Sequence, residues 1–326
     1  MNHFNKINNY PGIENDMNMV DKIMLIAEMY YSYGLSQGEV AEKLAISRPW
    51  VSKLLNRAIE MGIVRIEVIS PRAGFSDMEK AVKEKYSIRE TIIVKDASTN
   101  ENYNNLGKVA ANYFMTRVKP GDIIGVSWGL TISTMIEYLI PMKIQNVTVV
   151  PLVGGLGSKA VDLSNVAAMK IAEAFNAKCN LLHAQAFCSS KEEKEAVLSN
   201  PQTQAVIEQG KHTDIALLSV GDLHRSTISS QNHISEERIK DLENCNAVGD
   251  IALRFIDKNG KIIDHEINSM TIACPLEDVA RNAREVICLA CGEHKIKVID
   301  AALKGKWFSS LITDVRTASA LLNFKD

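Results

Sequence analysis

The chain of 326 residues carries 37 Lys and Arg against 39 Asp and Glu, and this net charge of −2 excludes a polycation that binds nucleic acid over its whole surface. A hydrophobic content of 46% excludes a disordered chain, and six cysteines in this length indicate reduced thiols rather than a disulfide scaffold. No apolar run reaches the roughly 20 residues that cross a bilayer, and the N-terminus lacks the apolar core of a signal peptide, so we expect a cytoplasmic protein without membrane contact.

The N-terminal part begins with a polar segment. Residues 1–18 are rich in Asn, and their composition predicts a disordered arm. Apolar side chains then recur at helical spacing over 19–33, and Gly34 follows as a C-terminal cap. Ser36 and Glu39 have the spacing of a capping box, which predicts a second helix that begins here and ends near residue 44.

A third helix is predicted to begin after Ser47, its N-cap, because Pro49 is tolerated in a first helical turn. Its inner face is predicted to consist of Val51, Leu54, Leu55, Ala58 and Ile59. Gly62 ends the helix, and residues 63–69 alternate as a strand does. Three short helices, a tight turn and one strand predict a winged helix-turn-helix over residues 19–70.

The outer face of this third helix favours contact with double-stranded operator DNA. Three cations and no acid lie between Ser47 and Arg57. An α-helix fits the major groove, where Arg and Lys grip phosphates or guanine and Asn reads adenine. The candidate DNA-binding residues are Gln37, Ser47, Arg48, Pro49, Trp50, Ser52, Lys53, Asn56 and Arg57. The alternative interpretation is a solvated cationic face on a small helical domain.

Trp50 lies off the apolar face of the third helix, between two cations. Two interpretations follow. Its indole contacts a thymine methyl group, a sugar or a phosphate of DNA, or it packs on the preceding helix as a local support.

The pattern changes after a predicted linker helix over residues 71–88. Apolar runs then alternate with amphipathic helices, in the order "TIIV", "DIIGVS", "VTVVPLV", "DIALLSV", "EVICLA" and "SSLIT". This alternation predicts a Rossmann-like α/β domain with a mainly parallel sheet over residues 89–326. Asn259 and Gly260 predict a hairpin turn in which both residues have positive φ, and hence a small antiparallel excursion.

The segment "GVSWGLT", residues 125–131, reads as a strand, a glycine-rich turn and a helix start. Free N–H groups at such a turn form an anion site, and the predicted ligand residues are Ser127, Trp128, Gly129, Leu130 and Thr131. The segment matches neither nucleotide-binding glycine motif, so no nucleotide cofactor is expected and a compact phosphate fits better. The alternative is a tight turn that binds nothing.

Other candidates for a ligand site follow predicted strands. Gly154 and Gly155 end one strand, and Gly292 and Lys295 follow another, where a Lys near a helix start favours a bound anion over a solvated surface position. Asp222 and Asp250 are candidate acceptors for sugar hydroxyls, with turn capping as the alternative. Cys288 and Cys291 form a C-x-x-C without a second pair, so we expect no metal site.

The stretch "IAEMYYSYGLSQGEVAEKLAISRPWVSKLLNRAIEMGIVRIEV" resembles the DNA-binding domain of the SorC family of bacterial sugar-responsive transcriptional regulators. Further landmarks of the resemblance are "GVSWGLT" (125–131), "PLVGG" (151–155), "AVGDI" (247–251), "ACGEHK" (290–295), "DAALKGK" (300–306) and "LITDVRTA" (311–318). The resemblance covers nearly the whole chain after the arm. It implies an effector domain similar to sugar-phosphate isomerases and deaminases, a phosphorylated sugar as effector, and a homo-oligomer, usually a tetramer, on DNA.

The chain departs from the family pattern at four positions. The family usually has two glycines where this chain has Cys291 and Gly292, and Ser219 stands where a glycine is common. Gln185 replaces a frequent Pro, and Trp50 replaces a small residue such as Thr. These positions bear on which sugar and which operator are recognised.

Three functions are compatible with these features. The favoured one is a regulator, dimeric or tetrameric and without a cofactor, whose operator affinity is controlled by a phosphorylated sugar. The second is a sugar-phosphate isomerase or deaminase that uses Lys295 and Asp250 as acid, base or Schiff-base groups. The third is a sugar-phosphate binder that acts on a protein partner.

Overall fold

The computed structural model describes residues 18–64, 74–98, 100–156, 163–230 and 233–324. The contacts of the chain divide it into two compact units, Met1–Ile69 and Ser70–Asp326. The predicted arm, except Asn18, and most of the predicted strand over 63–69 lie outside the described residues.

The described part of the first unit is helical. Its elements are α1 Met19–Ala27, a π-helical turn Glu28–Ser32, α2 Gln37–Lys43 and α3 Arg48–Glu60. The predicted capping box is confirmed, because the Glu39 N–H donates to Ser36 Oγ over 3.2 Å and the Ser36 N–H donates to Glu39 Oε2 over 2.8 Å. Ser47 caps α3 as predicted, since its Oγ accepts from the Trp50 N–H over 3.4 Å.

The three helices of the first unit bury one apolar core. The predicted inner face of α3 is confirmed for Val51, Leu54, Leu55 and Ala58, which are all buried. The prediction is wrong for Ile59, whose exposure is 39%. At 100° per residue, Ile59 lies at the edge of the apolar stripe and therefore turns toward solvent.

The second unit contains a parallel sheet and a smaller antiparallel one. The strands are β1 Glu90–Val94, β2 Ile123–Val126, β3 Thr148–Pro151, β4 Lys178–Cys179, β5 Ile215–Leu218, β6 Val220–Asp222, β7 Ala247–Ile251, β8 Arg254–Asp257, β9 Glu285–Leu289 and β10 Ser310–Asp314. The seven-stranded sheet has the order β1-β10-β9-β5-β2-β3-β4 with parallel pairs throughout, which confirms the predicted parallel sheet. Strands β6, β7 and β8 form the antiparallel sheet.

Helices surround these sheets. They are α4 Ser76–Tyr86, α5 Asn100–Arg117, α6 Leu130–Ile136, α7 Leu163–Phe175, α8 Lys191–Leu198, α9 Pro201–Lys211, α10 Thr227–Ser230, α11 Glu236–Asn244, α12 Glu266–Met270, α13 Leu276–Asn282, α14 Ile296–Lys304 and α15 Val315–Asn323. The chain runs from β2 to β3 on one side and from β5 to β9 on the other. The neighbours β2 and β5 therefore flank the point where the connections diverge, which is where α/β sheets bind ligands.

The helix predicted as a linker is part of the second unit. Within α4, Glu79, Val82 and Tyr86 are buried, and Glu79 Oε1 accepts from the N–H of Ile93 in β1 over 3.0 Å. A helix fixed in this way to the central sheet moves with the second unit.

The predicted hairpin turn over 257–261 is present, because the Asp257 N–H donates to the Lys261 carbonyl over 2.9 Å and Ile256 pairs antiparallel with Ile262. Of the pair Asn259 and Gly260, only Gly260 has positive φ, at 78°. A second tight turn, which was not predicted, joins β7 to β8 at Ala252–Leu253, where φ is 47° and 64°. Non-glycine residues at positive φ are strained, and here the Leu253 side chain, buried in the core, holds the turn in place.

Gly260 is required for close packing of the hairpin against α14. A Cβ atom at this position would overlap the carbonyl oxygen of Ala301 and lie 2.6 Å from Gly305 Cα. We expect Gly260→Ala to lower the free energy of unfolding by roughly 1–3 kcal/mol more than Gly121→Ala, because overpacking adds to the strain of positive φ. Gly121 is the matched control, since its φ is 86° and a Cβ atom added there would meet no atom within 4 Å. Equal melting temperatures for the two variants would contradict this close packing.

Candidate functional site

A cavity of about 220 Å³ lies at the carboxyl ends of β2, β5 and β9, beside the hairpin of β7 and β8. Its lining combines loop residues that follow these strands with two residues of the strained turn. The lining residues are Tyr103, Ser127, Trp128, Gly129, Leu130, Ser219, Val220, Gly221, Arg225, Ser226, Ile228, Asp250, Ala252, Leu253, Cys291, His294 and Lys295. The cavity thus lies at the position where α/β sheets bind ligands.

The glycine-rich turn after β2 contributes one wall. Of the predicted ligand residues, Ser127, Trp128, Gly129 and Leu130 line the cavity. Thr131 does not, because it is buried and its Oγ1 donates to the Leu289 carbonyl over 2.9 Å. This hydrogen bond of Thr131 instead joins the start of α6 to the end of β9.

Asp250 is the buried carboxylate of the cavity. Its exposure is 6%, and its Oδ2 accepts from the Leu253 N–H over 3.1 Å. Burial raises the pKa of Asp250 to about 7, although the Leu253 N–H and the Lys295 charge act in the opposite direction, while Asp222 adds to the rise. Near neutral pH this carboxyl is therefore present in both protonation states, so it can accept or donate a hydrogen bond.

Asp222 has the role of a turn cap. Its Oδ1 accepts from the N–H groups of His224 and Arg225, each over 2.8 Å, and the residue does not line the cavity. Its buried Oδ2 has no hydrogen bond and lies 3.8 Å from His294 Nε2. Asp222 therefore caps the turn with one carboxylate oxygen, and its other oxygen has no hydrogen bond.

Three basic side chains, Arg225, His294 and Lys295, line the same cavity. Burial lowers the pKa of His294, with Asp222 opposing and the Lys295 and Arg225 charges reinforcing the decrease. His294 is thus mainly neutral at pH 7, and an anion in the cavity would favour its protonation. Lys295 occupies the N-cap position of α14 and has no side-chain capping role. This end of the cavity is suited to an anionic group.

The remaining predicted glycines lie outside the lining. Gly154 donates its N–H to the Ile272 carbonyl over 3.0 Å, and a Cβ here would lie 2.7 Å from the Gln185 carbonyl oxygen. Gly155 donates to the Ala184 carbonyl over 2.9 Å. Gly292 donates to Thr317 Oγ1 over 2.8 Å. The observed role of these glycines is close packing and hydrogen bonding of the backbone at strand ends.

Several residues that line the cavity were not predicted from the sequence. Arg225 and Ser226 follow "SVGDL", and His294 precedes Lys295, so both groups adjoin motifs that were recognised. No sequence motif adjoins Tyr103, because it lies on α5, at some distance in the sequence from every motif. Cys291 lines the cavity as a neutral thiol, since burial raises its pKa to about 12.

The candidate DNA-binding residues lie on α2, α3 and the cap that precedes α3. Those exposed to solvent are Ser47, Arg48, Pro49, Trp50, Lys53, Asn56 and Arg57, whereas Gln37 and Ser52 are half-buried. Trp50 is 39% exposed, and Lys53 Nζ lies 5.3 Å from the centre of its ring. Arg57 forms an ion pair of 3.1 Å with Glu60, which reduces its positive field.

Among the described residues, no helix combines the length and the apolar character needed to cross a membrane. In the same part of the chain, no group of three or more His, Cys, Asp or Glu side chains could hold a metal ion.

Comparison with known proteins identifies the family. The family model Sugar-bind, a sugar-binding domain, matches residues 70–323. The chain is 34% identical to the deoxyribonucleoside regulator of Bacillus subtilis over 91% of its length and 96% of that protein. It is 29% identical to the sorbitol operon regulator of Klebsiella pneumoniae, over 92% of this chain and 97% of that one. The crystal structure of that full-length regulator, SorC, superposes with a TM-score of 0.72 at 27% identity over 93% of this chain and 99% of that chain. The chain therefore belongs to the sugar-binding domain family of SorC-type transcriptional regulators.

Proposed function

We propose that this protein is a DNA-binding regulator of a carbohydrate catabolic operon, and that a phosphorylated sugar in the cavity controls its operator affinity. The protein acts in the cytoplasm as a homodimer or homotetramer, which pairs its DNA-binding units at the spacing of operator half-sites. The effector shifts the equilibrium between two arrangements of the oligomer through its different affinity for each.

The choice of a phosphorylated sugar as the ligand rests on the residues that line the cavity. Arg225, His294 and Lys295 provide the charge and donors that a phosphate needs, while Asp250 provides a buried acceptor for a sugar hydroxyl. At about 220 Å³ the cavity is smaller than the roughly 300–1,000 Å³ of pockets for drug-sized ligands, which favours one monosaccharide phosphate over a nucleotide.

The exposed face of α3 supports the DNA-binding half of the proposal. We interpret α1, α2, α3 and the strand predicted over 63–69 as a winged helix-turn-helix with α3 as recognition helix. Arg48 and Lys53 contact phosphates or guanine in the major groove, and Asn56 contacts adenine. The pair of Arg57 with Glu60 gives Arg57 a smaller share of this binding.

The solvent exposure of the Trp50 side chain leads to a prediction about operator recognition. Because the indole is 39% exposed and lies outside the core cluster of the first unit, we favour contact with DNA over a supporting role. We expect Trp50→Thr to weaken operator binding by roughly 1–3 kcal/mol, the range of one specific contact, at an unchanged melting temperature. Fluorescence anisotropy with the operator duplex and thermal unfolding measure the two quantities.

Met61→Thr is the matched control, since Met61 is also an exposed apolar residue, at 43%, but lies at the far end of α3. It should leave operator affinity unchanged. A lower melting temperature for Trp50→Thr with full operator affinity would establish the supporting role instead.

A thermal-shift screen tests the proposed effector. The probes are 2-deoxyribose 5-phosphate, ribose 5-phosphate and sorbitol 6-phosphate, chosen because relatives are named after deoxyribonucleosides and sorbitol, each beside its unphosphorylated form. A ligand at 100 times its Kd should stabilise the protein by about 2.7 kcal/mol. Stabilisation by the unphosphorylated forms alone would contradict the phosphate assignment.

One observation favours a second function. A carboxyl with a pKa of about 7 next to Lys295 is a suitable acid–base group for a sugar-phosphate isomerase or deaminase. The relatives are named as transcriptional regulators, which argues for the first function. Incubation with the same three sugar phosphates distinguishes them, because only an enzyme forms product at rates abolished by Asp250→Asn.

A further inference from the structure

Helix α14 contacts the effector cavity at one end and α4 further along. Lys295, its N-cap, lines the cavity. Five residues later, buried Asp300 accepts a hydrogen bond of 2.7 Å from the hydroxyl of Tyr86, near the end of α4. Lys304 Nζ, one turn further, lies 2.9 Å from Asp300 Oδ2 and fixes the carboxylate. About one and a half helical turns thus separate a cavity-lining residue from an inter-helix hydrogen bond.

Helix α15 connects the same two places. Gly292, between the lining residues Cys291 and His294, donates its N–H to Thr317 Oγ1 in the first turn of α15. At the other end of α15, the Leu321 carbonyl accepts from Lys85 Nζ over 2.7 Å and lies 3.2 Å from the Tyr86 hydroxyl. Helix α14 therefore contacts Tyr86, and α15 contacts both Tyr86 and its neighbour Lys85, at the end of α4.

Helix α4 is the first helix of the second unit, and the chain that precedes it leads to the DNA-binding candidates. An effector-dependent change in the position of α4 can reach the first unit along this part of the chain. Helix α14 is tightly packed around these two contacts, since Val298, Ile299, Ala301 and Ala302 are fully buried. A helix packed so tightly moves as one body.

We infer that the hydrogen bond between Tyr86 and Asp300 couples the occupancy of the cavity to the position of α4, and through α4 to operator affinity. Tyr86 and Asp300 are positioning residues in this inference, which rests on the proposed function. A ligand anion that attracts His294 and Lys295 shifts the start of α14, and α14 transmits the shift to Tyr86. Coupling of this kind is defined by the ratio of operator Kd with and without effector.

Tyr86→Phe tests the inference, because it removes the hydroxyl and keeps the ring. The measurement is the operator Kd of the full chain, by fluorescence anisotropy, with and without each of 2-deoxyribose 5-phosphate, ribose 5-phosphate and sorbitol 6-phosphate. We expect the Kd ratio to fall by roughly 2- to 30-fold toward unity, the range seen when a coupling residue is changed. Effector affinity, measured by titration calorimetry, should change little, since Tyr86 does not line the cavity.

Tyr113→Phe is the matched control for a simple loss of stability. The Tyr113 hydroxyl donates to the buried carboxylate of Glu285. Glu285 is the first residue of β9, so this hydrogen bond lies at the amino ends of the parallel strands, whereas the cavity lies at their carboxyl ends. It should lower the melting temperature and leave the Kd ratio intact. Asp300→Asn keeps an acceptor oxygen for Tyr86 and should retain most of the coupling.

The outcomes separate this inference from the proposed function. A Kd ratio that is the same in Tyr86→Phe and the wild type, or one reduced equally by Tyr113→Phe, overturns the role of the Tyr86–Asp300 contact. Probes that bind the wild type without any change in operator Kd overturn the proposed function, and the inference with it.

Discussion

Replacing Lys295 by Gln is expected to weaken binding of the sugar phosphate by roughly 10- to 150-fold, because hydrogen bonds between charged partners contribute about 1.5–3 kcal/mol. Lys295 lines the cavity beside His294 and Arg225, and its charge also opposes the rise in the pKa of Asp250. Gln keeps a polar hydrogen-bond donor on a slightly shorter side chain but loses the charge. Titration calorimetry with the most stabilising sugar phosphate of the thermal-shift screen measures the effect.

Lys297→Gln provides the control on the same helix. Lys297 is exposed on α14 and does not line the cavity, so its replacement should leave the Kd of the sugar phosphate within a factor of about two of the wild type, the effect of a remote surface charge. If Lys295→Gln binds as tightly as Lys297→Gln, the anion is not bound at this end of the cavity.

Replacing Asp250 by Asn is expected to stabilise the protein above pH 7 and to have little effect near pH 4. The pKa of Asp250 rises from 3.8 to about 7 in the folded protein, chiefly through burial. The folded state therefore retains a proton that the unfolded state loses as the pH rises from about 4 to about 7, and stability falls over this interval. At about 1.36 kcal/mol per pH unit, the accumulated loss at pH 8 reaches roughly 4 kcal/mol.

Asn avoids this cost because it is uncharged and its oxygen can still accept from the Leu253 N–H. Thermal unfolding from pH 5 to pH 8 measures the difference, which should grow with pH to the order of 10 °C. Equal melting temperatures for variant and wild type at pH 8 would show that burial of the Asp250 carboxylate does not destabilise the folded protein. A carboxylate that destabilises the folded state is expected where it serves ligand binding.

The sequence predicted the elements of both units because local signals determine them. The capping box of Ser36 and Glu39 and the cap at Ser47 are short-range hydrogen bonds, and both are present in the structure. The parallel sheet followed from apolar runs that alternate with helices. The hairpin turn over 257–261 was predicted, whereas the turn Ala252–Leu253 was not, because neither residue prefers positive φ and only tertiary packing holds them there.

The site was predicted less completely than the fold. Residues that follow β2 and β9 were predicted, since the ends of parallel strands are recognisable in a sequence and converge at one edge of a sheet. Which of them face the cavity depends on packing, and Thr131 and Gly154 do not line it. Tyr103 reaches the cavity from α5, and no local pattern predicts a contact of that kind.

The most direct test of the central claim is operator affinity with and without a sugar phosphate. A duplex selected from a random library by the full chain serves as operator, and its Kd is measured for wild type and Lys295→Gln. The account predicts that the most stabilising sugar phosphate changes the wild-type Kd by about 5- to 150-fold and that the change is largely lost in Lys295→Gln. An operator Kd that is indifferent to every sugar phosphate that binds, or a change that survives in Lys295→Gln, would contradict it.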